Sequence, residues 1–389
     1  AKGAIELVNN VRMVKLGDLC EINPRAPKLT DETLISFVSM SDLSSSKART
    51  ISETSRPYHE VKKSYTGFQD QDILIAKITP CWENIKIGIA NIKNNFGFGS
   101  TEFHVIRASD EVTRRYLLHF LRNTHVNLQG KLRMTGSGGQ KRVPAKFFED
   151  LQVPLPSLEE QKRIVSILDK AKSIQEARER QLAALDELAS SLFISTFPKE
   201  GKYNIFKLSE VAKTTSGGTP SRKNPENYGG DILWVKSGEL QTRYITDSEE
   251  KITEVGMTSS SAKIMPAGTI LFAMYGATAG AVAKLGVPAA TNQAVCCITP
   301  NHSLITDTYL MSYLKFRKSD LINMRTGGAQ PNLSQSLIRN LDISLPPLEV
   351  QKIFSEKIKI IESRRSLIHQ AAKTGNEFFT SVQNILFDH

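Results

Sequence analysis

The amino-acid sequence predicts a mixed α/β (α+β) protein in which two pseudo-repeated globular units are separated by two long helices that pair as an antiparallel coiled coil. Three observations carry that expectation. The segment Leu155-Pro156-Ser157-Leu158-Glu159-Glu160-Gln161-Lys162 is answered, 190 positions on, by Leu345-Pro346-Pro347-Leu348-Glu349-Val350-Gln351-Lys352. Each copy opens a stretch in which apolar residues keep a seven-residue beat. The segments between them carry strand-like apolar runs broken by Gly, Asn and Pro. A period this long marks a duplicated domain with its connector, not a solenoid.

The expected organisation is a first unit over 1–155, a helical connector over 156–200, a second unit over 201–345 and a second connector over 346–389. The echo reaches into the units. Val14-Lys15-Leu16 resembles Phe206-Lys207-Leu208, and Ile73-Leu74-Ile75-Ala76 resembles Ile270-Leu271-Phe272-Ala273. Both copies then reach a threonine, Thr101 and Thr291. Strands are expected over 73–78, 85–92, 103–107, 232–235, 269–274 and 294–299, with helices over 113–123 and 307–317.

The first connector starts with Ser157 and Glu160 placed for a reciprocal capping box, and then runs to about Phe197 without Pro or Gly. Ile164, Ala171, Leu185 and Leu192 hold one seam position, and Ile167, Ile174 and Leu188 lie three further on. Arg178 and Gln181 interrupt the seam. The second connector starts at Pro347, where the missing N–H costs nothing. It keeps the beat through Phe354, Ile361, Ile368 and Val382, with Ile358, Ala372, Phe379 and Leu386 beside them and Gly375 on the seam. Two similar seams in one chain have an obvious partner in each other; the alternative is that each helix folds against its own preceding domain.

At roughly 150 residues per domain, 389 residues leave room for two to three domains. A hydrophobic content of 40% fits a soluble globular protein, and no apolar run approaches the ~18 residues that span a bilayer. With no signal-peptide pattern at the N-terminus, the expected location is cytoplasmic, without membrane partners. Cys20, Cys81, Cys296 and Cys297 lack metal-ligand spacing, so neither zinc nor a disulfide is expected. The net charge of +10 is unevenly spread: 22 Lys and Arg against 16 Asp and Glu over 1–155, 15 against 11 over 201–345, and near balance in the connectors. Basic units beside neutral connectors fit units that meet a polyanion and connectors that meet protein.

Several loops hold residues suited to nucleic acid. Thr215 to Lys223 is small, polar and basic at its end, and Gly218, Thr219, Ser221, Arg222 and Lys223 are its candidates. Asn292 and Gln293 carry amides that can pair with adenine in the major groove. Arg325, Gln330 and Asn332 mix with glycines, and the equivalent stretch of the first unit offers Arg133, Lys141 and Arg142. Lys47 and Arg49, then Arg56, Lys62 and Lys63, add flexible basic segments.

Motifs of chemistry are missing. There is no G-x-x-x-x-G-K-[ST] loop, no Asn/Asp-Pro-Pro-aromatic tetrapeptide and no nuclease-like carboxylate spacing. Phe96-Gly97-Phe98-Gly99-Ser100 is expected to be a turn, since it lacks the strand-loop-helix setting of a cofactor loop. The seven histidines are scattered. The chain reads as a non-catalytic binder with no metal and no catalytic residue.

The two L-P-x-L-E-x-Q-K segments, Gly217-Gly218-Thr219-Pro220-Ser221, Trp234-Val235-Lys236-Ser237-Gly238-Glu239-Leu240 and Thr326-Gly327-Gly328-Ala329-Gln330, in this order, resemble the specificity subunits of type I restriction-modification enzymes. The resemblance covers almost the whole chain. It implies two target recognition domains, each reading one half of a bipartite double-stranded DNA target, with a helical spacer that sets the gap and docks two methyltransferase subunits. Those partners would bring S-adenosylmethionine, and ATP would act on further restriction subunits, leaving this chain without a cofactor. By the same likeness Lys236 joins Asn292, Gln293, Gln330 and Asn332 near the DNA face. The first unit departs from the pattern, with Cys20-Glu21-Ile22-Asn23-Pro24-Arg25 where the second has its glycine loop. A two-lobed protein-interaction scaffold and the specificity subunit of a modification-only system remain as alternatives.

Overall fold

The computed structural model of the chain describes residues 11–137, 139–197, 202–323 and 333–387. Two compact units divide it, one formed by Ala1–Arg178 with Gln370–His389 and the other by Glu179–His369.

In unit 1 a six-stranded sheet runs Cys20–Ile22, Phe103–Ala108, Ile73–Ala76, Ile87–Ile89, Arg49–Thr50, Leu43–Ser44 in spatial order. Its Ile73–Ala76 strand is buried along its whole length, which is why it reads as a continuous apolar run without alternation. A four-stranded sheet places Thr54–Pro57, Leu34–Val38, Phe96–Gly99 and Thr66–Gln69 side by side. Phe96–Gly99 is thus a strand, not the expected turn. It lies parallel to Leu34–Val38 and antiparallel to Thr66–Gln69. Its glycines allow close approach: a Cβ at Gly97 would overlap the Phe68 ring, and one at Gly99 would overlap Val38 O.

Unit 2 repeats the plan. Ala212–Ser216, Val295–Pro300, Ile270–Ala273, Val282–Leu285 and Tyr244–Ile245 form the larger sheet, while Glu250–Ile252, Tyr228–Val235 and Ala290–Thr291 form the smaller. In both units a short N-terminal strand pairs with the strand that leads into a long helix: Val14 lies opposite Val153, and Phe206 opposite Ile343. Strand register corrects one detail of the repeat. Gly99 pairs with Val38 as Thr291 pairs with Val235, so Gly99, not Thr101, is the counterpart of Thr291.

The long helices are Leu158–Thr196 and Leu348–Phe387. They run antiparallel within each unit. In unit 1 Gln175 Nε2 donates to Asn376 Oδ1, and Ile164 and Leu168 share a core cluster with Val382, Leu386 and Phe387. In unit 2 Arg365 meets Asp186, and Leu185, Ala189, Leu192 and Phe193 pack with Phe354, Ile358 and Ile361. Gly375 lies under the Arg178 guanidinium, so the basic interruption of one helix faces the gap in the other.

The seam of the first helix differs from the expected one at its second position. Ile164, Ala171, Leu185 and Leu192 are buried or half-buried, but Ile167, Ile174 and Leu188 are 38%, 43% and 53% exposed. The partners of the first position lie four residues on, at Leu168, Gln175, Leu182 and Ala189. Adjacent apolar pairs such as Ile167-Leu168 fit either spacing, and the facing helix selects one. The second helix keeps its expected inward positions, with Phe354, Ile358, Ile361, Val382 and Leu386 buried and Ile368, Ala372 and Phe379 half-buried. The capping box is half formed: the Ser157 hydroxyl accepts from Glu160 N at 3.3 Å, whereas Glu160 Oε1 is buried without a partner.

Gln161 and Gln351 are fully buried and make one set of bonds twice. Gln161 Oε1 accepts from Thr113 N at 2.8 Å while its Nε2 donates to Glu111 O and Pro156 O, both at 3.0 Å. Gln351 Oε1 accepts from Thr306 N at 2.8 Å, and its Nε2 donates to Leu304 O at 3.0 Å and Pro346 O at 2.8 Å. Truncation strands three backbone groups, each costing about 1–3 kcal/mol when buried unpaired. We therefore expect Gln161→Ala and Gln351→Ala each to lower unfolding free energy by about 3 kcal/mol or more in urea titrations. A loss below ~1 kcal/mol would mean that water replaces the amide at no cost.

Candidate nucleic-acid interface

In unit 2 the parallel strands Tyr228–Val235 and Ala290–Thr291 end side by side, with Val235 opposite Thr291. The next residues are Lys236 and Asn292, so the register brings these two candidates to one sheet end. The glycine loop packs onto the same place. Gly218 N donates to Thr291 O at 2.9 Å, Gly218 O accepts from Trp234 Nε1 at 3.0 Å, and the Thr219 hydroxyl bonds Gln293 Oε1. A Cβ at Gly217 would overlap Thr291 O and Asn292 O, and one at Gly218 would overlap Ala262 N, so both positions require glycine. Beyond it, Tyr228 Oη donates to Pro220 O at 2.6 Å and Asn227 Nδ2 to Ser221 O at 3.0 Å. Thr219, Ser221, Arg222, Lys223 and Gln293 are exposed; Lys236 and Asn292 are half-buried. Asn292 Oδ1 is buried without a hydrogen-bond partner.

A carboxylate that the sequence did not single out organises the cations. Glu250 accepts from Arg222 at 2.7 Å and from Lys236 at 3.2 Å, and Lys236 also meets Glu249 at 2.8 Å. Arg222 lies 4.2 Å above the Tyr228 ring centroid. The Arg222 guanidinium, then Lys236, hold the Glu250 carboxyl below its ordinary range, and the Glu249 and Glu250 carboxylates hold the Lys236 ammonium above its own. Glu250 follows Glu249 in an otherwise unremarkable acidic pair, so only strand pairing of Glu250 with Trp234 makes it visible.

The first unit's candidates fall into separate groups. Arg56 lies 3.8 Å above the Phe37 ring centroid, and Lys62 bonds Asp31 at 2.6 Å. Lys63 is exposed on the same stretch. Arg133 and Lys141 are exposed on a segment that bonds the 77–79 backbone, where Thr79 N donates to Lys141 O at 3.0 Å. Arg142 is committed to Glu102 through bonds of 2.8, 2.9 and 3.1 Å and holds that carboxyl below its ordinary range. Lys47 and Arg49 line a cavity beside the long helices. Ser39 stands where unit 2 has Lys236, since Ser39 N donates to Asp42 as Lys236 N donates to Glu239, each at 2.8 Å. Arg325, Gln330 and Asn332 lie outside the described residues. Among the described residues no cluster of His, Cys, Asp or Glu is placed to hold a metal ion. Cys20 and Cys296 are buried thiols pushed up to about 12.

A family model for the type I restriction modification DNA specificity domain matches residues 9–186 and 200–374. The chain belongs to that family. Among curated relatives it is 41% identical over 184 residues to the type I restriction enzyme EcoAI specificity subunit of Escherichia coli, covering 46% of this chain and 31% of that protein. It is 32% identical over 198 residues to the MjaIX specificity subunit of Methanocaldococcus jannaschii, covering 50% and 44%. The matched segments thus span less than half the length of those relatives. A solved chain from a study of type I R-M complex assembly and conformational transition has a TM-score of 0.64 at 19% identity, covering 98% of both chains. The type I S subunit from M. genitalium has a TM-score of 0.59 at 12% identity, covering 98% and 97%. These two share the fold, with its duplicated mixed sheets and long helices. Among the described residues no helix is long and apolar enough to cross a membrane.

The Glu250 arrangement is testable by carboxyl-carbon NMR titration. Glu250 is expected to titrate below the ordinary glutamate range and to return toward it in Arg222→Ala. Because its folded-state pKa is depressed, the contact contributes stability above the unfolded-state pKa and loses it as pH falls through the folded one. An ordinary Glu250 titration in the unmodified chain would contradict the arrangement.

Proposed function

We propose that the chain is the DNA-reading, non-catalytic subunit of a type I restriction-modification assembly, with each unit reading one half of a bipartite duplex target. The observation that carries this is the double family match, one copy per unit, joined to loops of amides and cations at a sheet end. Phosphate contacts would fall to Arg222 and Lys223, with the Gly217-Gly218 backbone holding the loop close. Base reading would fall to Gln293 and Asn292, whose amides match the adenine edge. The long helices would act as the spacer. S-adenosylmethionine and ATP would be used by partner subunits and not by this chain.

The helices also present apolar side chains to solvent. Ile353, Ile360 and Leu367, at seven-residue intervals, are 55%, 67% and 64% exposed, beyond what isolated surface residues require. They are the proposed seat of a methyltransferase subunit. Ile360→Glu is expected to abolish co-purification with that subunit while leaving the chain's thermal midpoint within about 2 °C, as a surface change should. Retained co-purification would remove Ile360 from the contact.

The function is tested by co-expressing the chain with methyltransferase subunits from its native operon and mapping modified adenines in host DNA. A split motif with methyladenine in each half is the expected outcome; a stable complex that adds no methylation would overturn the reading. In the same assay Gln293→Ala should relax the half-site read by unit 2 and leave the other unchanged, with equal changes in both halves counting against the assignment.

A further inference from the structure

Unit 1 contains a cavity of about 510 Å³ bordered by the 47–49 segment, the helix Arg114–Leu121 and parts of both long helices. Five Lys and Arg side chains line it, Lys47, Arg49, Arg115, Arg122 and Lys172, and among the described residues all but Arg115 lack an acidic partner. Arg122 gives three of its five N–H donors to the carbonyls of Ser45, Ile85 and Ile87, and Lys172 gives one of its three to Ser46 O, so each keeps donors to spare. The one acidic residue of the cavity wall, Asp169, is already taken by Arg115 at 2.6 Å and His119 at 2.8 Å.

The duplication supplies an internal control. Counting from the paired glutamines Gln161 and Gln351, Lys172 occupies the position of Glu362. Counting from the capping threonines Thr113 and Thr306, Arg122 occupies that of Lys315. Ala48 O accepts from Ile89 N as Arg243 O accepts from Lys284 N, so Ala48 occupies that of Arg243. In unit 2 an ion pair takes the region: Arg243 meets Glu362 at 2.6 Å with side chains only 15% and 13% exposed, and Glu362 also lies 3.6 Å from Arg365. Unit 1 has removed the large cation, leaving room, and reversed the carboxylate to a lysine. Arg122 and Lys172 are half-buried, where a cation without counter-charge is unfavourable, while Lys47 and Arg49 are exposed. Burial first, then Arg122, pulls the Lys172 ammonium below its ordinary range.

We propose that this cavity binds a phosphate group, held by Arg122, Lys172 and Arg49 where the second unit carries its own Glu362. Guanidinium forks match phosphate oxygens, and two half-buried cations without acidic partners, with two exposed ones beside them, favour a multiply charged oxyanion over a single carboxylate. The phosphate comes either from a free phosphate-bearing molecule or from the backbone of duplex DNA. Binding itself is independent of the DNA-reading role and is measured without DNA.

The test titrates the full chain with inorganic phosphate and pyrophosphate against chloride at matched ionic strength, by calorimetry and by thermal midpoint. Saturable binding is expected, weakened at least about tenfold in Lys172→Glu. The double variant Arg49→Gln, Lys172→Gln removes two of the charges without changing side-chain size much and is expected to fold and to bind no phosphate. No saturable binding in the unmodified chain, or undiminished binding in a folded double variant, would overturn the proposal. Duplex titrations then name the source. If DNA supplies the group, Lys172→Glu lowers duplex affinity and reduces the salt slope by about one; if a free molecule does, duplex affinity stays while phosphate binding falls.

Discussion

Everything in this fold hangs from a buried primary amide used twice. Gln161 and Gln351 each bind the N-terminal end of a short domain helix, the loop before it and the proline-bearing start of a long helix. A primary amide is suited to this because it offers two donors and two acceptor sites from one rigid plane, with no charge to desolvate. The tyrosine three residues after each bonded threonine fixes the same corner from the other side, since Tyr116 Oη donates to Pro154 O and Tyr309 Oη to Ser344 O. Domain and connector are therefore locked at a defined joint.

On that fixed frame the two units have diverged where the frame imposes nothing. Lys236 is replaced by Ser39, and the glycine loop against Thr291 has no equivalent sequence in unit 1. The changes fall at strand ends and loops, where substitution costs little stability, while the paired strands and the glutamine joints are retained. Such a division lets one scaffold carry two surfaces of different chemistry. It also explains why charge was a poor guide to position. Arg142, Lys62, Arg222 and Lys236 all contribute to the basic excess, but each is partnered by a carboxylate supplied from a distant stretch of sequence.

The duplication, the helix starts and most of the helical seam were legible in the sequence because each is a short-range pattern. Proline and glutamine at fixed offsets, and an apolar beat over some forty residues, need no knowledge of partners. The second seam position of the first helix was misread for a physical reason: Ile167-Leu168 offers two apolar neighbours, and only the facing helix decides which is buried. Phe96–Gly99 was misread because glycine signals a turn when considered locally. Here it signals crowding, since the Phe68 ring and the Val38 carbonyl occupy the space a side chain would need. Of the candidate site, the convergence of Gly218, Lys236 and Gln293 follows from parallel pairing of strands some fifty residues apart, and that pairing has no sequence signature. Glu250 stayed hidden for the same reason.

The two units are not successive beads on the chain. Phe387 packs 5.6 Å from both Tyr116 and Phe120, so the core of unit 1 is completed by a side chain roughly 270 residues later. The core of unit 2 in turn takes Phe193 from the helix that began in unit 1, and Phe197 just past its end, against Tyr309 and Phe354. Contacts of such separation carry a large loop-closure cost and slow folding, yet they are retained in both copies. What they provide is anchorage within each unit, where the end of one long helix and the start of the other share one hydrophobic core. A seam with a glutamine, an arginine and a glycine on it is a weak adhesive taken alone, and core anchoring at the ends makes its register secure. The polar residues are then free to set alignment instead of supplying stability, with Gln175 against Asn376 and Arg178 over Gly375 each fitting one register only.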